Sequence, residues 1–160
     1  MVFNHLDKEG HPVMVDIEGK APSRREATAE GWVHLPRSVY DAVENNTVAK
    51  GDVLQIAELA GIQGAKRTAE LIPLCHPLRL DAVAVRCEMD REKQAVHIIA
   101  TAKAREATGV EMEALTSVSL AALTVYDMCK GIDKGMRIEG IRLLRKSGGK
   151  SGFFECEVER

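Results

Sequence analysis

Asp127 and Lys130 stand three residues apart near the end of an apolar stretch rich in Ala, Leu and Val. On a helix that spacing puts carboxylate and ammonium on one face. If exposed, such a pair contributes only a few tenths of a kcal/mol, about 0.3. A partly buried pair, tuned toward neutrality, could move protons or hold phosphate. Lys50-Gly51-Asp52 offers a further cation just ahead of a helix start, a position that favours phosphate.

A second group is the run Leu71-Ile72-Pro73-Leu74-Cys75-His76-Pro77-Leu78, a Cys-His dipeptide held between two prolines. Proline fixes the backbone direction, so Cys75 and His76 are expected as a rigid wall of a binding pocket. A thiolate–imidazole nucleophile is disfavoured, because neighbouring residues seldom converge in the geometry it needs. A satisfied buried histidine also remains open. Glu111 and Glu113 open the apolar stretch. Thr108 three residues before Glu111 reads as a capping box. Glu113 could instead accept hydrogen bonds from the paired N–H groups of a guanine or pterin. Glu113 and Asp127 are fourteen residues apart, about 21 Å along one helix. One ligand reaching both therefore requires a pocket shared between subunits.

The third group is basic. Between 130 and 150 lie Lys130, Lys134, Arg137, Arg142, Arg145, Lys146 and Lys150, against Asp133 and Glu139 alone. In a chain of formal net charge −2 this suggests a confined anion site, unless it is a solvated face. Lys146-Ser147-Gly148-Gly149-Lys150-Ser151-Gly152 is not a Walker A loop, since Leu144 stands where its first glycine belongs. Glycine-rich backbone could still hold an anion, but a hydrophilic tail is an equal reading of Lys150.

The elements that must position these groups follow from pattern. Residues 1–13 read as a flexible lead-in to one domain over 14–160, with little periodicity before Pro22. Ala27 to Leu35 alternates as a half-buried strand, and Pro36 opens a short helix carrying Val39 and Val43 inward. Asp52 caps a long helix expected to reach Leu71. Its small face (Ala57, Gly61, Gly64, Ala65, Thr68) invites close approach of another backbone, read here as that of a second subunit. At Gly64 a slightly larger residue such as Ala would be expected. Leu80 to Met89 and Ala95 to Ala104 form a hairpin around the polar turn Asp90 to Gln94. A helix from Thr108 to Lys130, ended by Gly131, and a strand from Arg137 to Arg145 complete an α+β domain, helices on one face of an antiparallel sheet.

Composition narrows the function classes. At 160 residues, 45% hydrophobic and 29% charged, the chain has the balance of an ordinary soluble protein. No apolar run approaches a membrane span, and the polar start is neither signal nor transit peptide, so a cytoplasmic location is expected. Aromatic residues are only 4%, which disfavours an RNA-binding sheet. Cys87, Cys129 and Cys156 read as small buried hydrophobes, and no close spacing suggests zinc.

Taken in order, Lys50-Gly51-Asp52-Val53, Ala60-Gly61-Ile62-Gln63, Ala65-Lys66-Arg67-Thr68, Leu71 to Leu78, Gly109 to Thr116, Tyr126 to Lys130 and Lys146 to Gly152 resemble the MoaC family of cyclic pyranopterin monophosphate synthases. The resemblance covers roughly residues 14–152. It implies a ferredoxin-like subunit in a homohexamer, a trimer of dimers with active sites at the dimer interface. The implied reaction is a lyase step of molybdenum-cofactor biosynthesis. It converts 3′,8-cyclo-7,8-dihydro-GTP, made by a radical SAM GTP cyclase, to cyclic pyranopterin monophosphate and diphosphate. By motif position Asp127, Lys130 and Lys50 would be catalytic. Leu74, Cys75, His76, Met112, Glu113, Arg25 and Lys146 would bind substrate. No cofactor or resident metal is implied beyond Mg²⁺ entering with the substrate phosphates, and neither nucleic acid nor membrane is an expected partner. A non-catalytic nucleotide sensor using the same basic pocket is the rival class.

Overall fold

The computed structural model describes residues 5–157. Its elements are β1 (Ser23–His34), α1 (Arg37–Glu44), α2 (Val53–Lys66), α3 (Thr68–Leu71), β2 (Leu80–Asp90), β3 (Ala95–Glu106), α4 (Glu111–Cys129), β4 (Arg137–Ser147) and β5 (Phe154–Glu155). The strands form one antiparallel sheet in the order β2-β3-β1-β4-β5. This is the expected α+β, ferredoxin-like arrangement, with β1 at its centre and a two-residue edge strand added.

Short side chains let α4 lie close on the sheet. Ala27, Ala29, Ala100, Ala102 and Ala104 form much of the inner face, against Ala114, Val118, Ala121, Ala122 and Val125 of the helix, all in one core. A Cβ on Gly31 would stand 2.8 Å from Val118 Cγ1, so only glycine fits beneath that turn. β1 is more deeply buried than the half-buried strand expected from alternation. Glu30, on the opposite face from Ala29, is 6% exposed, because Arg142 and His97 both pair with its carboxylate. Trp32 stacks on His97 at 4.3 Å, and Lys93 lies over the Trp32 ring. The basic excess of 130–150 is partly absorbed here: Arg142 holds Glu30, Arg145 holds Glu26 and Arg137 holds Glu139.

The small face of α2 corrects an expectation. It packs against α4 of the same chain, not against a second subunit. A Cβ on Gly61 would meet the Ser117 carbonyl at 3.0 Å, and one on Gly64 would meet Leu120 Cβ at 2.9 Å. That contact also explains glycine at 64. Asp52 caps the helix as expected, accepting from Gln55 N at 3.0 Å. The helix does not run unbroken to Leu71, however. Thr68 Oγ1 bonds back to the Ala65 carbonyl, Arg67 turns out of helical geometry, and α3 follows as a separate turn. Cys87 and Cys129 are buried, whereas Cys156 is only half-buried, since it follows an exposed edge strand. Gly131 follows the helix but not as a left-handed C′ cap; the chain leaves α4 through a turn in which Ile132 N–H bonds the Cys129 carbonyl.

Candidate active site

The linker between α3 and β2 turns tightly, Cys75 N–H donating to the Ile72 carbonyl at 3.1 Å. Leu74, Cys75 and His76 thereby face the first turn of α4. Together they line a cavity of about 640 Å³ with Met112 and Glu113 from α4 and Arg25 from β1. The expected capping box is absent. Val110 precedes the helix and no side chain caps it. Thr108 and Glu111 line the cavity instead. Glu113 is 4% exposed, and its carboxyl is pushed up to about 7. Burial is the largest cause, opposed by a backbone hydrogen bond and reinforced by the Glu111 charge. This group changes protonation near neutrality within the cavity. The Cys75 thiol is also pushed up, first by burial and then by Glu113. Both effects oppose thiolate formation, so Cys75 is a wall residue in protonation as well as in geometry.

Arg25 is anchored. Its Nε donates to the Glu106 carbonyl at 3.2 Å and its Nη2 to the Ala107 carbonyl at 3.1 Å. The strap after β4 lies directly against it. Lys150 and Ser151 from this strap line the cavity, as does Lys20 from the irregular segment before β1. Lys146 is not itself in the lining. It reaches the site through two lining residues, bonding Ser151 Oγ and approaching Glu111 at 4.0 Å.

Asp127, Lys130 and Lys50 form a separate cluster at the other end of α4. Lys130 Nζ is 2.6 Å from Asp127 Oδ1, and Lys50 Nζ is 3.1 Å from Oδ2. The three side chains are 58%, 50% and 51% exposed. Asp127 and Lys130 are not drawn toward neutrality at this exposure. Lys130 and then Lys50 hold Asp127 below the ordinary carboxylate range, and Asp127 holds Lys130 above its usual value. In a half-exposed cluster attraction dominates and desolvation contributes little. None of the three lines the cavity.

The two groups thus occupy opposite ends of one helix. A family model described as "MoaC family" matches residues 14–149. The chain belongs to the MoaC family. It is 56% identical over 155 residues to the cyclic pyranopterin monophosphate synthase of Methylobacterium nodulans, covering 97% of each chain. It is 51% identical to that of Geotalea uraniireducens over the full length of both. The Rhodospirillum rubrum synthase is 55% identical over 94% of this chain and 90% of its own.

The structure sorts the residues singled out by type and spacing. Arg25, Leu74, Cys75, His76, Met112 and Glu113 converge on the cavity; Lys146 stands behind it. Asp127, Lys130 and Lys50 converge on one another elsewhere. Sequence reasoning missed Lys20, and it assigned Glu111 to a cap and Lys150 equally to a tail. The signal available for the last two was proximity in sequence to Glu113 and to Lys146. Lys20 follows Gly19 in a segment without periodicity, and nothing there distinguishes it from a solvated lysine. Among the described residues one group is spaced to hold a metal ion, the exposed Asp7, Glu9 and His11. None of these lines the cavity.

Proposed function

We propose that this protein is a cyclic pyranopterin monophosphate synthase, a cytoplasmic lyase that converts 3′,8-cyclo-7,8-dihydro-GTP to cyclic pyranopterin monophosphate and diphosphate. Support comes from full-length similarity to synthases of that name. The observation that carries the mechanism is the division of labour along α4. The cavity holds recognition groups, Glu113 among them, while the acid–base cluster stands half-exposed at the other end of the helix and does not line that cavity. Each is half of a site. A second copy whose Asp127 cluster meets this cavity would complete both halves, within the homohexamer that the family resemblance implies.

In that assembly the roles follow from chemistry. Glu113 and the backbone wall at Leu74, Cys75 and His76 hold the pterin-forming base, its N–H pair directed at the carboxyl. Ring opening and reclosure require successive proton transfers. Asp127, ionised between two lysines, accepts a proton, and Lys130 or Lys50 returns one. Forming the cyclic phosphate expels diphosphate, whose growing charge is met by lysines and by the anchored Arg25. None of these steps changes an oxidation state, so the reading needs no redox cofactor, and Mg²⁺ enters only with the substrate phosphates. The substrate itself would come from a radical SAM GTP cyclase. Four free cysteines suit a reducing compartment, and among the described residues no helix is long and apolar enough to cross a membrane.

The test supplies wild type and Asp127→Ala with enzymatically prepared cyclised dihydro-GTP and follows diphosphate and product pterin together. Turnover by wild type alone, with both proteins folded and equally oligomeric, is the expected result. Binding by both without turnover, where an authentic synthase works, would favour a nucleotide sensor.

A further inference from the structure

The strap from Gly148 to Ser151, which follows β4, packs on Arg24 and Arg25. Gly148 and Gly149 both have left-handed backbone, φ +94° and +74°. At each, a side chain is forbidden by contact as well as by conformation. A Cβ on Gly148 would overlap the Arg24 carbonyl oxygen and stand 3.3 Å from Arg25 Cδ. A Cβ on Gly149 would overlap Arg25 Nη1 and lie 2.6 Å from Arg25 Cζ. Arg25 cannot easily retreat, because two of its nitrogens are held by the carbonyls of Glu106 and Ala107. The far end of the strap is tied as well, through Lys146 and Ser151 Oγ. Between these ties stands Lys150, which lines the cavity. Lys20 and Arg25 line it too, so three basic side chains share a cavity whose carboxyl groups are Glu111 and Glu113.

We infer that Lys150 is a direct ligand to the phosphate groups of the substrate, and that Gly148 and Gly149 are positioning residues that hold it there by seating the strap on Arg24 and Arg25. This rests on the synthase reading only for the identity of the phosphate ester; the anion chemistry is a property of the cavity. Arg25 acquires a second duty, as the fixed seat of the strap. The hydrophilic-tail reading of Lys150 is displaced, because an untethered tail would not require two glycines packed on one arginine.

Gly152 provides an internal control. Its φ is +64°, yet a Cβ there would meet nothing within 4 Å. Backbone strain from alanine is therefore similar at 149 and 152, and only Gly149 adds the collision. The probe is inorganic diphosphate, titrated calorimetrically against wild type, Lys150→Ala, Gly149→Ala, Gly152→Ala and the Gly149→Ala/Lys150→Ala double variant. Melting curves run in parallel confirm folding. Loss of a charge-assisted contact should weaken diphosphate binding about tenfold in Lys150→Ala. Gly149→Ala should lose a similar factor, the double variant no more than either, and Gly152→Ala less than about twofold.

Unchanged affinity in Lys150→Ala would overturn the ligand assignment. Multiplying losses in the double variant, or equal losses at 149 and 152, would overturn the positioning role. Turnover of cyclised dihydro-GTP by the same preparations separates the two readings. Lys150-dependent diphosphate binding without any turnover sinks the synthase and leaves this inference standing. Normal turnover with an indifferent Lys150 does the reverse.

Discussion

Lys50 and Asp127 are 77 residues apart in the chain, and one ammonium joins them twice. Lys50 Nζ donates to the Asp127 backbone carbonyl at 2.7 Å and to its carboxylate at 3.1 Å. The carbonyl belongs to the last turn of α4, where no intrahelical partner is available. Lys50 thus fixes the end of the helix and the side chain it carries, while Lys130 holds the other carboxylate oxygen.

Asp127→Asn should therefore abolish turnover and leave the fold intact. The amide keeps the shape but cannot take a proton, a loss of at least about 10²-fold in kcat. Half-exposed ion pairs contribute little to stability, so the melting temperature should hardly move. Because both lysines hold Asp127 low, its stabilising pairing is present at neutral pH and is lost only as pH falls below the ordinary carboxylate range. Single-turnover assays and melting curves, measured on one preparation, check both halves. An asparagine variant with more than a tenth of wild-type kcat would remove Asp127 from the chemistry.

Glu113 should make stability depend on pH in the opposite sense. Its folded value of about 7 lies above the ordinary glutamate value of 4.5, so the native state retains a proton that the unfolded chain releases. Stability is then full below pH 4.5 and falls as pH rises toward and through 7. Glu113→Gln removes that dependence. Relative to wild type it should gain on the order of 1–3 kcal/mol at pH 8 and nothing at pH 4.5. Urea unfolding at both pH values and one protomer concentration measures the difference. A gain independent of pH would mean that the carboxyl is not held protonated by burial.

Gly64→Ala should destabilise despite being a helix-favouring change. Alanine gains roughly 1 kcal/mol over glycine inside a helix. Against that, its Cβ would stand 2.9 Å from Leu120 Cβ and 3.0 Å from Cγ, near the root of that side chain. Overpacking of this kind costs about 1–3 kcal/mol, so the net effect is a loss. Denaturant titration should also show the loss shrinking in a Leu120→Gly background, which removes both of the clashing atoms. A net gain in stability from Gly64→Ala would show that α2 and α4 have room to separate.

Periodicity reveals most where one face of an element does one thing. The hairpin of β2 and β3 could be read because Val85, Cys87, Val96, Ile98 and Ala100 all point to the same core. β5 could not, since Phe154 and Glu155 are too few to alternate, and their pairing depends on β4. The small face of α2 was visible, but composition says only that something comes close. The answer, Ser117 and Leu120 of α4, lies more than fifty residues onward. The same limit applies to the site. Glu113 and the Cys75–His76 wall could be suspected from local context. Lys20 needed the fold, because a lysine becomes a lining residue only through what surrounds it.

Cys75 gives the clearest separation of wall from nucleophile. A catalytic thiolate needs a depressed pKa, whereas burial and the Glu113 carboxyl both push this thiol up. Cys75→Ala should therefore keep kcat within about threefold of wild type, with any change appearing in KM through the altered wall. Alkylation of the same residue should still inactivate, because an added group occupies cavity volume beside Leu74 and Glu113. Iodoacetamide modification should be slow at pH 7, keep accelerating with pH beyond the range where an ordinary thiol levels off, and be slowed by diphosphate or substrate analogue. The decisive comparison is kcat in Cys75→Ala. A fall of a hundredfold or more with normal substrate binding would return the sulfur to the chemistry.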